Sequence, residues 1–197
     1  SQVSVEDLLM GMVVQSGNDA TVALAEHVAG SEETFVKLMN QEAERLGLKS
    51  SHFTNASGLP DANHYMSARD IATLTRALIR DFPEHYPRYA VRSFKYNNID
   101  QPNRNRLLLT DSSVDGVKTG HTDSAGYCLV SSAKRGDTRL IGVVLGAQKE
   151  KDRFQASQTL LNHGFSFFES RKLHDAGTPI VTTRVWKGQD NELALGV

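Results

Sequence analysis

The whole 197-residue sequence holds a single cysteine, Cys128. An intramolecular disulfide is therefore excluded, and no second cysteine or closely spaced histidine pair accompanies it to bind zinc, so no metal or other cofactor is expected. Because Cys128 lies in the apolar run Tyr127 to Val130, its expected role is that of a small buried hydrophobe. An excess of either charge is lacking too, with 22 Lys and Arg against 23 Asp and Glu. Nothing in that balance marks nucleic acid or an acidic membrane surface as partner. No stretch approaches the roughly 18 apolar residues of a membrane span, and the opening residues Ser-Gln-Val-Ser-Val-Glu-Asp carry neither region of a signal peptide. The sequence opens just ahead of a helix and stops at Gly196-Val197 inside strand-like sequence, so truncation is expected at both ends.

What is present fits a packed globular chain: 39% of residues are hydrophobic and 23% charged, and a chain of this length buries about 70% of its unfolded surface. Ser4 and Asp7 form a capping-box-like start, after which Leu8, Leu9, Met12 and Val13 share a helical face up to Ser16-Gly17-Asn18. An Ala-rich helix from Asp19 to about Val28 ends at Gly30, and Ser31 caps a third helix presenting Phe35, Leu38, Met39 and Leu46. Gly47-Leu48 reads as a Schellman stop, and Lys49 to His64 as a long loop whose length points to a nearby site. Ser67 and Asp70 then open a fourth helix carrying Ile71, Leu74, Leu78 and Ile79.

From Arg92 the texture becomes short extended runs: Ser93 to Tyr96, Arg106 to Leu109, Val114 to Thr119, Gly126 to Ala133 and Arg139 to Leu145. Lys134 to Thr138 carries a hairpin signal between the last two. A closing helix from Lys149 to about Glu169 places Phe154, Leu160, Leu161, Phe165 and Phe168 toward that sheet. Helices, then strands, then a helix predict an α/β protein of the α+β type, with helices packed on an antiparallel sheet. Thr178 to Trp186 and Glu192 to Leu195 turn strand-like again. The expected division is residues 1–176 as the main domain and 177–197 as the start of a β-rich one.

Two short signals carry chemistry: Ser16-Gly17-Asn18 at a helix junction and Lys118-Thr119-Gly120-His121 at the end of a predicted strand. Alone, the first also reads as a helix cap and the second as a strand leaving through a glycine turn. Serine acyl transfer needs a nucleophile, a base, oxyanion donors and a proton for the leaving amine, and a hydroxyl beside a lysine meets these needs without histidine. Ser16 suits a proton relay, Asn18 an amide that holds a substrate backbone, and Lys118 the charge that eases the transfer. The strand through His121 suits pairing with an extended peptide, while Gly120 allows close approach. His52, His64 and His163 have no partners at ligand or catalytic spacing.

Ser-x-Asn followed far downstream by Lys-Thr-Gly is two-thirds of the motif set of penicillin-binding proteins and serine β-lactamases. With Val13 to Ala20, Gln101 to Arg106, Val114 to Thr122 and Gly126-Tyr127, the chain resembles the low-molecular-mass D-alanyl-D-alanine carboxypeptidases over nearly its whole length. That resemblance implies a β-lactamase/transpeptidase-like fold, a peptidoglycan stem ending in D-Ala-D-Ala as substrate, and β-lactams as acylating ligands. It implies Ser16 and Asn18 as the second motif, Lys118, Thr119 and Gly120 as the third, and the His121 N–H in the oxyanion hole. Arg153 matches an arginine near the substrate carboxylate and Arg104 one beside the Lys-Thr-Gly strand; on residue type alone both are expected at the surface.

The family's first motif, Ser-x-x-Lys, carries the nucleophile and its base and is expected upstream of residue 1. Ser131-Ser132-Ala133-Lys134 has the letters but falls after Lys-Thr-Gly and at a hairpin, so it is read as chance. No Glu followed four residues later by Asn lies between the motifs, which disfavours a β-lactamase. An inactive fragment or peptidoglycan-binding module is the alternative of a different class. The resemblance also implies the periplasm, at the outer face of the cytoplasmic membrane, with membrane contact only through a C-terminal anchor absent from this sequence.

Overall fold

The computed structural model describes residues 2–196; Ser1 and Val197, the two ends of the expected cut piece, lie outside the described residues. Three helices open the fold: α1 (Val5–Gln15), α2 (Asn18–Ala29) and α3 (Glu32–Arg45). Ser4 and Ser31 cap α1 and α3 by accepting the N–H groups of Asp7 and Thr34, which satisfies donors that a helix start leaves free. At the end of α3, Gly47 takes φ +71°. Its N–H donates to Glu44 O at 3.0 Å and that of Leu48 to Ala43 O at 2.9 Å, the two bonds of a Schellman stop. Leu48 thereby joins Ala43 and Phe53 in a small core flanked by Met39, Leu46, Met66 and Leu74.

The long loop contains one short bridge, β1 (Ser51–His52) paired with β2 (Tyr65–Met66). Ser67 then caps α4 (Ala68–Asp81). Asp70 in its first turn is buried and accepts from Ser50 N and Ser51 Oγ at 2.7 and 2.8 Å, tying helix and loop together. A 3₁₀ turn (Tyr86–Ala90) leads to the hairpin β3 (Ser93–Tyr96) and β4 (Ile99–Pro102). A single turn, α5 (Leu107–Thr110), precedes the main sheet of β5 (Val114–Thr122), β6 (Gly126–Arg135) and β7 (Thr138–Ala147). The sheet is antiparallel in the order β5-β6-β7, and α6 (Glu150–Phe167) packs on β6 and β7. Beyond it, β8 (Pro179–Arg184) and β9 (Glu192–Gly196) form a separate two-stranded sheet.

The main core joins Leu107, Leu108, Val114, Leu129, Ala133 and Leu161, with Leu140, Phe154 and Phe165 against them. Several sequence expectations change here. Arg106 to Leu109 is not extended: the Asn105 side chain accepts Leu107 N–H at 3.2 Å and starts a helical turn that sends both leucines inward. In α1 the buried residues are Met10, Val13 and Val14, while Leu8, Leu9 and Met12 are half-buried. Leu38 on α3, and Leu160 and Phe168 around α6, are exposed. The inner row of α6 runs Arg153, Ser157, Leu161 and Phe165, four residues apart, and half of it is polar. Cys128 is half-buried, because it lies where the β6–β7 register shifts and faces Gly120, which has no side chain to cover it.

Candidate active site

Helix α1 ends where Ser16 enters the left-handed region, φ 59° and ψ 40°, a conformation that costs a non-glycine residue free energy. Its N–H donates to Met12 O and that of Gly17 to Gly11 O, both at 3.1 Å. The chain reverses within two residues, α2 starts at Asn18, and the Ser16 hydroxyl and Asn18 are left on the wall of a cleft of ≈ 670 Å³.

The opposite wall is β5, an edge strand of the sheet. Lys118 faces the cleft, and its Nζ donates to Ser16 Oγ and, at 3.0 Å, to Thr119 O. Burial, and then the like charges of Arg104 and Arg153, pull its pKa from 10.5 down to about 8. The lysine thus stays mainly charged at neutral pH but gives up its proton far more readily than a free lysine, which suits proton transfer. Thr119 is buried beneath it, whereas Gly120 and His121 are exposed along the strand. A Cβ on Gly120 meets no atom closer than Cys128 Cβ at 3.8 Å. Internal packing therefore does not demand glycine here, and the open side faces the cleft.

A short polar strut sets the spacing of the two walls. Gln15 Nε2 donates to Pro102 O at 2.6 Å, and Arg104 returns its Nε to Gln15 O at 2.8 Å. Asn103 bonds Val91 O and Asn105 N–H, and Asn105, 1% exposed, donates to Gly116 O on β5 at 3.1 Å. Buried amides of this kind are stable only when their bonds are made. This places Arg104, itself exposed, beside Lys118.

Arg153 closes the far end of the cleft. Contrary to the surface position expected from its residue type, it is 4% exposed. Its guanidinium carbon lies 4.9 Å from the Phe154 ring centre and 5.4 Å from that of Tyr127. Nη1 donates to Gly120 O and Nη2 to Glu150 Oε1, each at 3.2 Å, while Nε has no partner among the described residues. The structure therefore brings Ser16, Asn18, Arg104, Lys118, Thr119, Gly120, His121 and Arg153 around one cleft.

Met12, the segment Ala56 to Leu59, Tyr127 and Glu150 also line this cleft and were not singled out from sequence. The length of the Lys49 to His64 loop was the one available pointer to the second group. Asn55 folds that loop by accepting the N–H groups of Gly58 and Leu59 at 2.7 and 3.0 Å. Ser131, by contrast, is 0% exposed within β6. An odd spacing along a strand puts it and Lys134 on opposite faces, so this pair does not form a Ser-Lys site.

Solved structures place the architecture first: the fold is β-lactamase/transpeptidase-like. Penicillin-binding protein 5 from Haemophilus influenzae is 49% identical, with a TM-score of 0.95 over 100% of this chain and 58% of its own. Penicillin-binding protein D2 from Listeria monocytogenes, solved in a cefotaxime-bound form, is 34% identical, with a TM-score of 0.77 over 83% of this chain and 67% of its own. Among curated proteins, the D-alanyl-D-alanine carboxypeptidase DacC of Escherichia coli K12 is 50% identical over 99% of this chain and 49% of its own length. Residues 1–149 match the family described as D-alanyl-D-alanine carboxypeptidase, and the chain belongs to that family. It spans about half the length of the curated relatives it matches.

Proposed function

We propose that this chain is part of a serine-type D-alanyl-D-alanine carboxypeptidase that releases the terminal D-alanine of a peptidoglycan stem peptide through an acyl-enzyme and is itself acylated by β-lactams. The observation that carries the reading is the Lys118–Ser16 hydrogen bond in a cleft whose far end is a buried arginine. The stem peptide lies extended along the free edge of β5 and adds to it as a strand, with its terminal carboxylate toward Arg153 and its backbone held by Asn18 and Thr119. The His121 N–H faces the carbonyl under attack, and Arg104 adds positive charge beside Lys118.

The nucleophilic serine and its lysine base belong to a Ser-x-x-Lys motif upstream of residue 1. In acylation the serine oxygen bonds to the penultimate carbonyl carbon and the C–N bond to D-alanine breaks. The serine proton passes through Ser16, assisted by Lys118, to the leaving amine. Water then cleaves the ester and regenerates the serine. In the same reading residues 1–176 are the catalytic portion, 177–197 begin a β-rich domain, and the protein works in the periplasm on the outer face of the cytoplasmic membrane. Among the described residues no helix is long and apolar enough to cross that membrane.

Intact-mass spectrometry after incubation with a penicillin tests this, using the 197-residue chain and the longer protein that carries Ser-x-x-Lys. The longer protein is expected to gain one penicilloyl group and the chain alone none. Acylation of the chain alone places the nucleophile inside it and overturns the assignment. Acylation of neither favours a peptidoglycan-binding module.

A further inference from the structure

Among the described residues that line the cleft, Arg104, Lys118 and Arg153 carry positive charge and Glu150 is the single acid. Glu150 is the first residue of α6, one turn ahead of Arg153. Its Oε1 takes the Nη2 hydrogen bond of that arginine at 3.2 Å, and its Oε2 lies 3.9 Å from Arg106 Nη2. The two partners are unequal: the Arg153 side chain is 5% exposed and that of Glu150 is 46% exposed. A buried guanidinium fixed by Gly120 O and two aromatic rings cannot readily leave. A half-exposed carboxylate can, because water rehydrates it at little cost.

We infer that Glu150 is a specificity-determining residue: its carboxylate is the resident occupant of the anion site at Arg153, and an incoming ligand carboxylate must displace it. The inference rests on the reading in which Arg153 receives the terminal carboxylate of the stem peptide. It extends that reading in two ways. The site exchanges one carboxylate for another, so the gain from a ligand carboxylate is smaller than for an arginine with no acid beside it. Glu150 also stays close after displacement, since Arg106 offers it a second cation. It then repels any further negative charge on the ligand at that end, so ligands bearing a single carboxylate there are favoured.

The test titrates the 197-residue chain with N-acetyl-D-alanyl-D-alanine and with its C-terminal amide, following backbone amide shifts by NMR in the unaltered chain, Glu150→Gln and Arg153→Gln. Glu150→Gln is expected to tighten the acid by about two- to five-fold, the scale of a half-exposed ion pair, and to leave the amide unchanged. Arg153→Gln is expected to abolish the preference for acid over amide. If Glu150→Gln leaves the acid's affinity unchanged, or weakens both ligands alike, while Arg153→Gln still removes the preference, the role of Glu150 is overturned and the carboxylate reading stands. If Arg153→Gln keeps the preference, or no variant binds either ligand, the carboxylate reading falls and takes this inference with it.

Discussion

Replacing Lys118 by methionine should make the protein more stable at neutral pH, although it removes a group at the centre of the site. The fall of the Lys118 pKa from 10.5 to about 8 says that the folded state disfavours its charged form, by about 3 kcal/mol at roughly 1.4 kcal/mol per pKa unit. Methionine keeps the length of the stem and drops the charge. Against that gain stand the lost hydrogen bonds to Ser16 Oγ and Thr119 O, about 1 kcal/mol each once solvent exchange is counted. A net stabilisation of about 1 kcal/mol at pH 7 follows.

The sign of the pH dependence is fixed by linkage. Between pH 8 and 10.5 the unfolded chain holds the Lys118 proton and the folded chain has released it, so the stability of the unaltered protein rises with pH across this window. The variant lacks that rise, so the difference should move against it by about 2 kcal/mol and change sign by pH 9.5. Urea denaturation of both proteins at pH 7 and pH 9.5, followed by circular dichroism, measures this directly. A variant less stable at pH 7, or an advantage that does not change with pH, would refute the reasoning.

Two further substitutions probe the supports of the site. Gly116→Ala directs a Cβ to within 2.5 Å of Tyr86 Oη; it should destabilise the fold by about 1–3 kcal/mol in urea, and Tyr86→Phe in the same chain should restore part of the loss. Burial opposes the charge of Asp111, but hydrogen bonds from Ser113 and Gln158 and the charge of Arg135 outweigh it and hold the pKa at about 2. The stability this contributes, about 2 kcal/mol, is complete above pH 3.8 and is lost as pH falls toward 2. Asp111→Asn should therefore be less stable at pH 6 and show a flatter loss in acid, as read from thermal midpoints between pH 6 and pH 2.

Local rules made much of the helical half legible. Ser4, Ser31 and Ser67 sit at helix starts and Gly47 at a helix end, as their side chains, or the lack of one, dictate. The two motifs were legible for the same reason, since one marks a helix junction and the other a strand. Strand β4 was missed although its signal is present. Asn97 and Asn98 both take positive φ, 47° and 64°, and form a two-residue turn that pairs Tyr96 with Ile99. Arg106 to Leu109 was misread because a run of three leucines has no period of its own. What decides it is Asn105, whose side chain bonds the next turn on one side and β5 on the other. The burial of Arg153 was likewise invisible in residue type, because it depends on Tyr127 and Phe154 meeting around the guanidinium.

The strut from Pro102 to Asn105 also bears on the order of folding. The Ser16–Lys118 hydrogen bond closes a separation of 102 residues, and a contact of that range forms only after the entropy of a long loop has been surrendered. The helix turn at Ser16 and the β5–β6 hairpin are each local and can appear early. They remain unrelated to each other until Pro102, Arg104 and Asn105 dock, because the first two bond Gln15 at the end of α1 and Asn105 bonds Gly116 O on β5. The two walls of the cleft therefore come into register late, and a chain that has built its secondary structure but not this connection has both motifs and no site.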